Sequence, residues 1–105
     1  MIVRTWRGRA IKSNADSYLI HFKDNVFPKL EKIDGFQNAH VLQFDLGDLV
    51  EILVMTMWKS MEDVRRFAGD NPDLAVVEPE ARAVLADFDV TVKHYKLVFD
   101  PELDE

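Results

Sequence analysis

LVEILVMTMWKSMEDVRRFAGD, residues 49–70, runs an apolar strand into a tryptophan and turns at once into a capped helix. At the two-residue period of a strand, Val50, Ile52, Val54, Thr56 and Trp58 point one way, and Leu53, Met55 and Met57 the other. Both faces are mostly apolar, whereas a sheet with one face in water alternates apolar with polar residues. The strand therefore needs cover on both sides. After Lys59, Ser60 is the N-cap with Asp63 three residues on, Met61, Val64, Phe67 and Ala68 form the apolar stripe, and Gly69 ends the helix.

Working outward, residues 2–11 read as a strand, with Ile2, Arg4, Trp6, Gly8 and Ala10 on one side and Val3, Thr5, Arg7, Arg9 and Ile11 on the other. Gly8 marks a bulge or a close backbone approach. Ser13 or Asn14 caps an amphipathic helix in which Ala15, Tyr18, Leu19, Phe22, Val26, Leu30 and Ile33 recur at three- and four-residue steps. Pro28 has no N–H to donate, so the helix is expected to end or kink near Val26 and Phe27. Asp34-Gly35 is a turn, residues 36–45 a second strand, and Leu46-Gly47-Asp48 the tight link of a hairpin into the third. Past Gly69, residues 70–73 are a loop, residues 74–77 a short apolar segment, and Pro79 opens a second helix. Residues 88–99 alternate as a fourth strand.

The order strand, helix, strand, strand, helix, strand, with right-handed crossovers, predicts an α+β, ferredoxin-like βαββαβ fold: a four-stranded antiparallel sheet with both helices on one face. The other face then lacks cover, and a patch of that size exceeds what a monomer normally exposes. A second copy pressed face to face would bury it and form a dimeric α+β barrel.

With 105 residues the chain is expected to be one domain, residues 1–99, followed by an acidic tail, residues 100–105. The net charge of −6 argues against nucleic acid or an anionic membrane as partner. Arg4, Arg7, Arg9 and Lys12 crowd the start and Asp100, Glu102, Asp104 and Glu105 the end, so the tail is expected to screen the first strand. Without cysteine there is no disulfide, thiolate metal site or thiol nucleophile. The opening MIVRTWRGRA is unlike a signal peptide and no run has the length of a membrane span, which points to the cytoplasm. Neither His21 nor His40 has metal-ligand spacing, and no metal site is expected.

VEILVMTMWKSMEDVRRFAG, then DNPDLAVVEPEA and FDVTVKHYKLVF, resembles the antibiotic-biosynthesis-monooxygenase family of dimeric α+β barrels. RTWRGRA and the helix bearing Tyr18-Leu19 fit the same pattern, so the similarity spans nearly the whole chain. It implies a cofactor-free oxygenase, without metal or flavin, whose aromatic substrate loses a proton and passes an electron from its carbanion to oxygen. Trp58 matches the family tryptophan and Arg82 falls near a family arginine. Val54 and Val64 stand where the quinone-forming members use asparagine and tyrosine. The heme-degrading branch uses a histidine after the tryptophan, and residues 59–93 contain none; its first-strand asparagine has no counterpart in residues 2–11.

The candidate catalytic residues are Trp58 to stack on a flat ligand, His94 as base and Arg4 to hold the anion. Trp6, Tyr18, His21, Phe67 and Arg82 are the candidates to contact a small aromatic or polyketide-like substrate between sheet and helices. Two further readings use the same pocket: a dimeric binding or stress-response module without turnover, and a lyase or isomerase with a histidine base. Alternation puts His94 and Tyr95 on opposite faces and leaves open which one looks toward the helices.

Overall fold

The computed structural model describes residues 1–102; Leu103, Asp104 and Glu105, the end of the expected acidic tail, lie outside the described residues. Strand β1 (Ile2–Ile11) pairs antiparallel with β3 (Leu49–Trp58) over all ten residues, from Ile2 opposite Trp58 to Ile11 opposite Leu49. Strand β2 (Phe36–Asp45) flanks β3 on the other side with a bulge between Phe36 and Asn38. The far edge of β1 carries β4 (Asp87–Phe88) and β5 (Lys93–Lys96). The order β2-β3-β1-β4/β5 is that of the ferredoxin-like fold.

The first helical segment starts with a 3-10 turn, Lys12–Asn14, and continues as α1 (Ala15–His21), a π-helical turn (Phe22–Val26) and α2 (Phe27–Glu31). Asn14 holds the N-cap position without a side-chain hydrogen bond. The widened turn just before Pro28 accommodates a residue that lacks its N–H and crowds the preceding turn. Helix α3 (Met61–Ala68) is capped as expected: Ser60 Oγ accepts from Asp63 N at 3.3 Å, and Gly69 leaves the helix at φ +85°. Helix α4 (Pro79–Val84) starts at Pro79.

Val50, Ile52, Val54 and Trp58 of β3 pack with Tyr18, Phe22, Leu30, Val64 and Ala81 of the helices in one core. Trp58, Ile52, Leu30 and Val64 are its largest fully buried side chains. Two glycines are set by contact. A Cβ on Gly8 would lie 2.9 Å from the Trp6 ring, so the missing side chain lets Trp6 fold back along its own strand. Gly35 has φ +91° and a Cβ there would clash with the Asp63 carboxyl; its carbonyl accepts from Lys59 N at 2.9 Å, tying the start of β2 to the end of β3.

The far sheet face follows from the register. Its cross-strand rows are Asn38-Met57-Val3-Tyr95, His40-Met55-Thr5-Lys93, Leu42-Leu53-Arg7 and Phe44-Glu51-Arg9-Asp87. It is apolar at Val3, Leu42, Phe44, Leu53, Met55, Met57 and Tyr95, with Leu42, Phe44 and Tyr95 exposed, and polar or charged at the other positions. The greasy strand pattern therefore covers half of this face. Arg9 pairs with Asp87 and with Asp89, the latter at 2.9 Å, and Arg7 lies 4.0 Å from Glu51. Among the described residues, the acids that meet these two arginines are Glu51 of β3, Asp87 of β4 and Asp89 just beyond it, rather than the tail.

The expected fourth strand is broken in two. Between the pairs Gly8–Phe88 and Thr5–Lys93, β1 advances three residues and the edge chain five. The edge chain turns instead to the loop after α3: Ala75 N donates to Val90 O and Val92 N to Asp73 O, each at 2.9 Å. The loop thereby becomes a strap across one end of the sheet.

Candidate functional site

The site grows out of one cross-strand row on the helix-facing side, Thr56-Arg4-His94. His94 is thus on the helix face and Tyr95 on the open one. Arg4 is only 5 % exposed. Its Nη1 donates to Pro72 O at 2.5 Å and to His94 Nε2 at 2.9 Å, and its Nη2 to Leu74 O at 3.0 Å. The guanidinium also lies 5.7 Å from the centre of the Phe67 ring. Burial lowers its pKa to about 10 against the opposing charge of Asp73, so it stays a cation at neutral pH. No carboxylate touches it among the described residues: two carbonyls and an imidazole surround the charge.

An arginine can only donate, so His94 Nε2 accepts and the neutral ring carries its proton on Nδ1, which lies 3.6 Å from Asp73 Oδ1. Burial, reinforced by the charge of Arg4, lowers the His94 pKa, with Asp73 acting the other way. The unfolded chain then binds more protons than the folded one between that lowered value and the ordinary histidine value of about 6.5. Stability is therefore expected to rise with pH across that window, to be complete above it, and to be lost as pH falls through it. Urea unfolding of the parent and of His94→Asn at a series of pH values checks this; a parent slope that survives in the variant assigns the effect to other groups.

Arg4 opens onto a cavity of about 70 Å³ between sheet and helices. Trp6, Tyr18, His21 and Phe67 line it with Phe22, Leu30, Val54, Thr56 and Ala81, and Val76, Val77 and Glu78 of the strap close it. The structure thus brings together five of the eight candidates. Burial raises the Tyr18 pKa further above its already high ordinary value, which keeps the phenol protonated. Trp6 is held by its Nε1 donating to Asp89 O at 2.7 Å.

The other three lie outside the wall. Trp58 has no exposed surface; its ring stacks on Phe67 at 5.8 Å and meets Phe36 edge-on at 5.3 Å, and its Nε1 donates to Thr56 Oγ1 at 2.9 Å. Of this stacked pair, Phe67 lines the cavity and Trp58 does not. His94 sits behind Arg4 with its lone pair engaged. Arg82 donates to Val77 O at 3.3 Å and lies over Phe88 at 5.4 Å. Sequence reading missed Thr56, whose polar signal lay in the alternation, and the carbonyls of Pro72 and Leu74, which leave no side-chain signal.

Among the described residues no three His, Asp or Glu side chains are grouped to hold a metal ion, and no helix is long and apolar enough to cross a membrane.

No family model and no curated protein matches the sequence. Solved structures do match the fold. A protein from Bacillus cereus assigned as an antibiotic biosynthesis monooxygenase is 18 % identical, with 94 % of this chain and 96 % of that one covered and a TM-score of 0.62. The heme-degrader of Mycobacterium tuberculosis, solved with two hemes in its active site, is 18 % identical over 95 % and 98 % of the two chains, TM-score 0.61. A cofactor-independent oxygenase from Streptomyces nogalater is 11 % identical over 95 % and 96 %, TM-score 0.59. The chain has the fold of the antibiotic biosynthesis monooxygenases, as the sequence resemblance implied.

Proposed function

We propose that the chain is a small cofactor-independent monooxygenase that works as a homodimer on an aromatic or polyketide-like compound bound between sheet and helices. The observation that carries this is Arg4, a buried cation on an apolar cavity wall with no carboxylate in contact. In low dielectric such a charge favours the ionised form of a phenol or enol beside it. The bound oxyanion takes over the N–H that Arg4 gives to His94, and the freed Nε2 accepts the substrate proton. Phe67, backed by Trp58, supports the flat ring. The anion passes an electron to oxygen; the radicals recombine, one oxygen atom becomes a carbonyl at the oxidised methylene, and the other leaves as water with the two methylene hydrogens.

A second reading, a dimeric binding module without turnover, is favoured by His94, whose lone pair Arg4 already occupies. Oxygen-electrode measurements with a panel of hydroxylated aromatics separate the two. Oxygen uptake matched by substrate loss, cut on the order of a hundredfold in Arg4→Met, is the expected result. Tight binding with no uptake assigns the module. Dimerisation through the open sheet face rests on Leu42, Leu53, Met55, Met57 and Tyr95; light scattering at micromolar concentration is expected to give about twice 12.2 kDa, and a stable monomer refutes that interface.

A further inference from the structure

The cavity wall holds a second polar group left without a partner. His21, at the end of α1, is 7 % exposed, and its Nδ1 lies 3.1 Å from Asn25 Nδ2. The amide donates, Nδ1 accepts, and the neutral ring therefore carries its proton on Nε2. That Nε2 is buried and has no hydrogen-bond partner among the described residues. Buried donors are nearly always paired, so an orphan on a cavity wall points to a ligand. The π-helical turn begins immediately after His21, and such turns recur where a helix serves a site. The Tyr18 ring meets the imidazole edge-on at 6.2 Å and restricts its orientation.

Two donors therefore open on one cavity from opposite sides, the imidazole from the helix and the Arg4 guanidinium from the sheet. The carboxylate on the wall, Glu78, is held by Lys29, whose Nζ lies 3.2 Å from each of its oxygens. Most of the remaining wall is apolar. We infer that His21 Nε2 and Arg4 together bind the carboxylate of a small monoanionic acid with an apolar body. The carboxylate supplies one acceptor oxygen to each donor, and Phe22, Val76 and Val77 meet the hydrocarbon part. This rests on the reading of the cavity as the ligand site and is independent of oxygen chemistry.

The test uses benzoate, with benzamide as its neutral isostere, on the full-length, nitrogen-15-labelled chain. Two-bond nitrogen–proton spectra are expected to show His21 in the Nε2–H form and to show Nε2 shifting with benzoate and much less with benzamide. His21→Leu is expected to weaken benzoate binding on the order of ten- to a hundredfold while raising the unfolding midpoint, since it removes an unpaired donor. That pairing separates lost recognition from lost folding. Should His21→Leu not fold, Asn25→Ala leaves the wall intact and is expected to mix the two tautomers and weaken benzoate several-fold. An Nδ1–H ring, no Nε2 shift at millimolar benzoate, or unchanged benzoate affinity in the variant that folds overturns the inference. Any of these results with oxygen uptake present overturns the inference and leaves the oxygenase reading standing; benzoate held at His21 with no uptake does the reverse.

Discussion

Trp58→Ala is expected to destabilise the chain by about 3–5 kcal/mol, the range for deleting a large buried aromatic. Domains of this size have only about 5–15 kcal/mol in hand, so the unfolding midpoint should fall by roughly 15 °C or more. The ring is sealed between Phe36 and Phe67 at the point where β3 hands over to α3, and nothing around it is free to close the gap. The substitution also leaves Thr56 Oγ1, on the cavity wall, without the indole N–H. Urea unfolding followed by circular dichroism reads the loss. Trp58→Phe keeps an aromatic ring in place and gives up the hydrogen bond and part of the packing, for about 1–2 kcal/mol. Its ligand affinity should stay within about twofold of the parent, because Trp58 lies behind Phe67 and does not line the cavity. A Trp58→Phe chain with parental stability and abolished binding would show that the ligand stacks on the tryptophan itself.

The same tryptophan shows what could be read before any coordinates. Its sheet face, its partner strands and the cap that follows it all come from alternation and from Ser60 and Asp63, local signals that tertiary packing leaves intact. Whether it borders the cavity or the core did not. Both lie on the helix side of the sheet, and the choice is made by Phe36 and Phe67, rings far from each other in sequence. The break in the last strand was hidden for a different reason. Two extra residues on the edge chain preserve the parity of alternation, so Phe88 and His94 share a face whether the strand is continuous or not. The His21–Asn25 contact, by contrast, has the four-residue spacing of helix neighbours and was open to sequence reading, although the orphaned Nε2 was not.

Arg4→Met should lower stability by about 2–4 kcal/mol although it removes a buried charge, which taken alone is often neutral or favourable. The difference lies in what the guanidinium serves. Its departure strands the carbonyls of Pro72 and Leu74 and the Nε2 of His94, and with them the strap that closes the cavity. Arg4→Lys is expected to fall between, because one ammonium cannot reproduce a planar fork across three acceptors. Thermal unfolding measures that loss, and two further readouts tell a latch from a receptor. With the cation gone, the His94 pKa should move back upward while desolvation still holds it down, as an imidazole titration by NMR would show. Affinity for an oxyanion such as benzoate should fall on the order of a hundredfold, the usual consequence of deleting a buried charge partner. A variant that loses stability and keeps its anion affinity makes Arg4 a strap latch only; one that loses both shows that the group fastening the cavity also receives the ligand, so that occupancy and closure compete for the same N–H bonds.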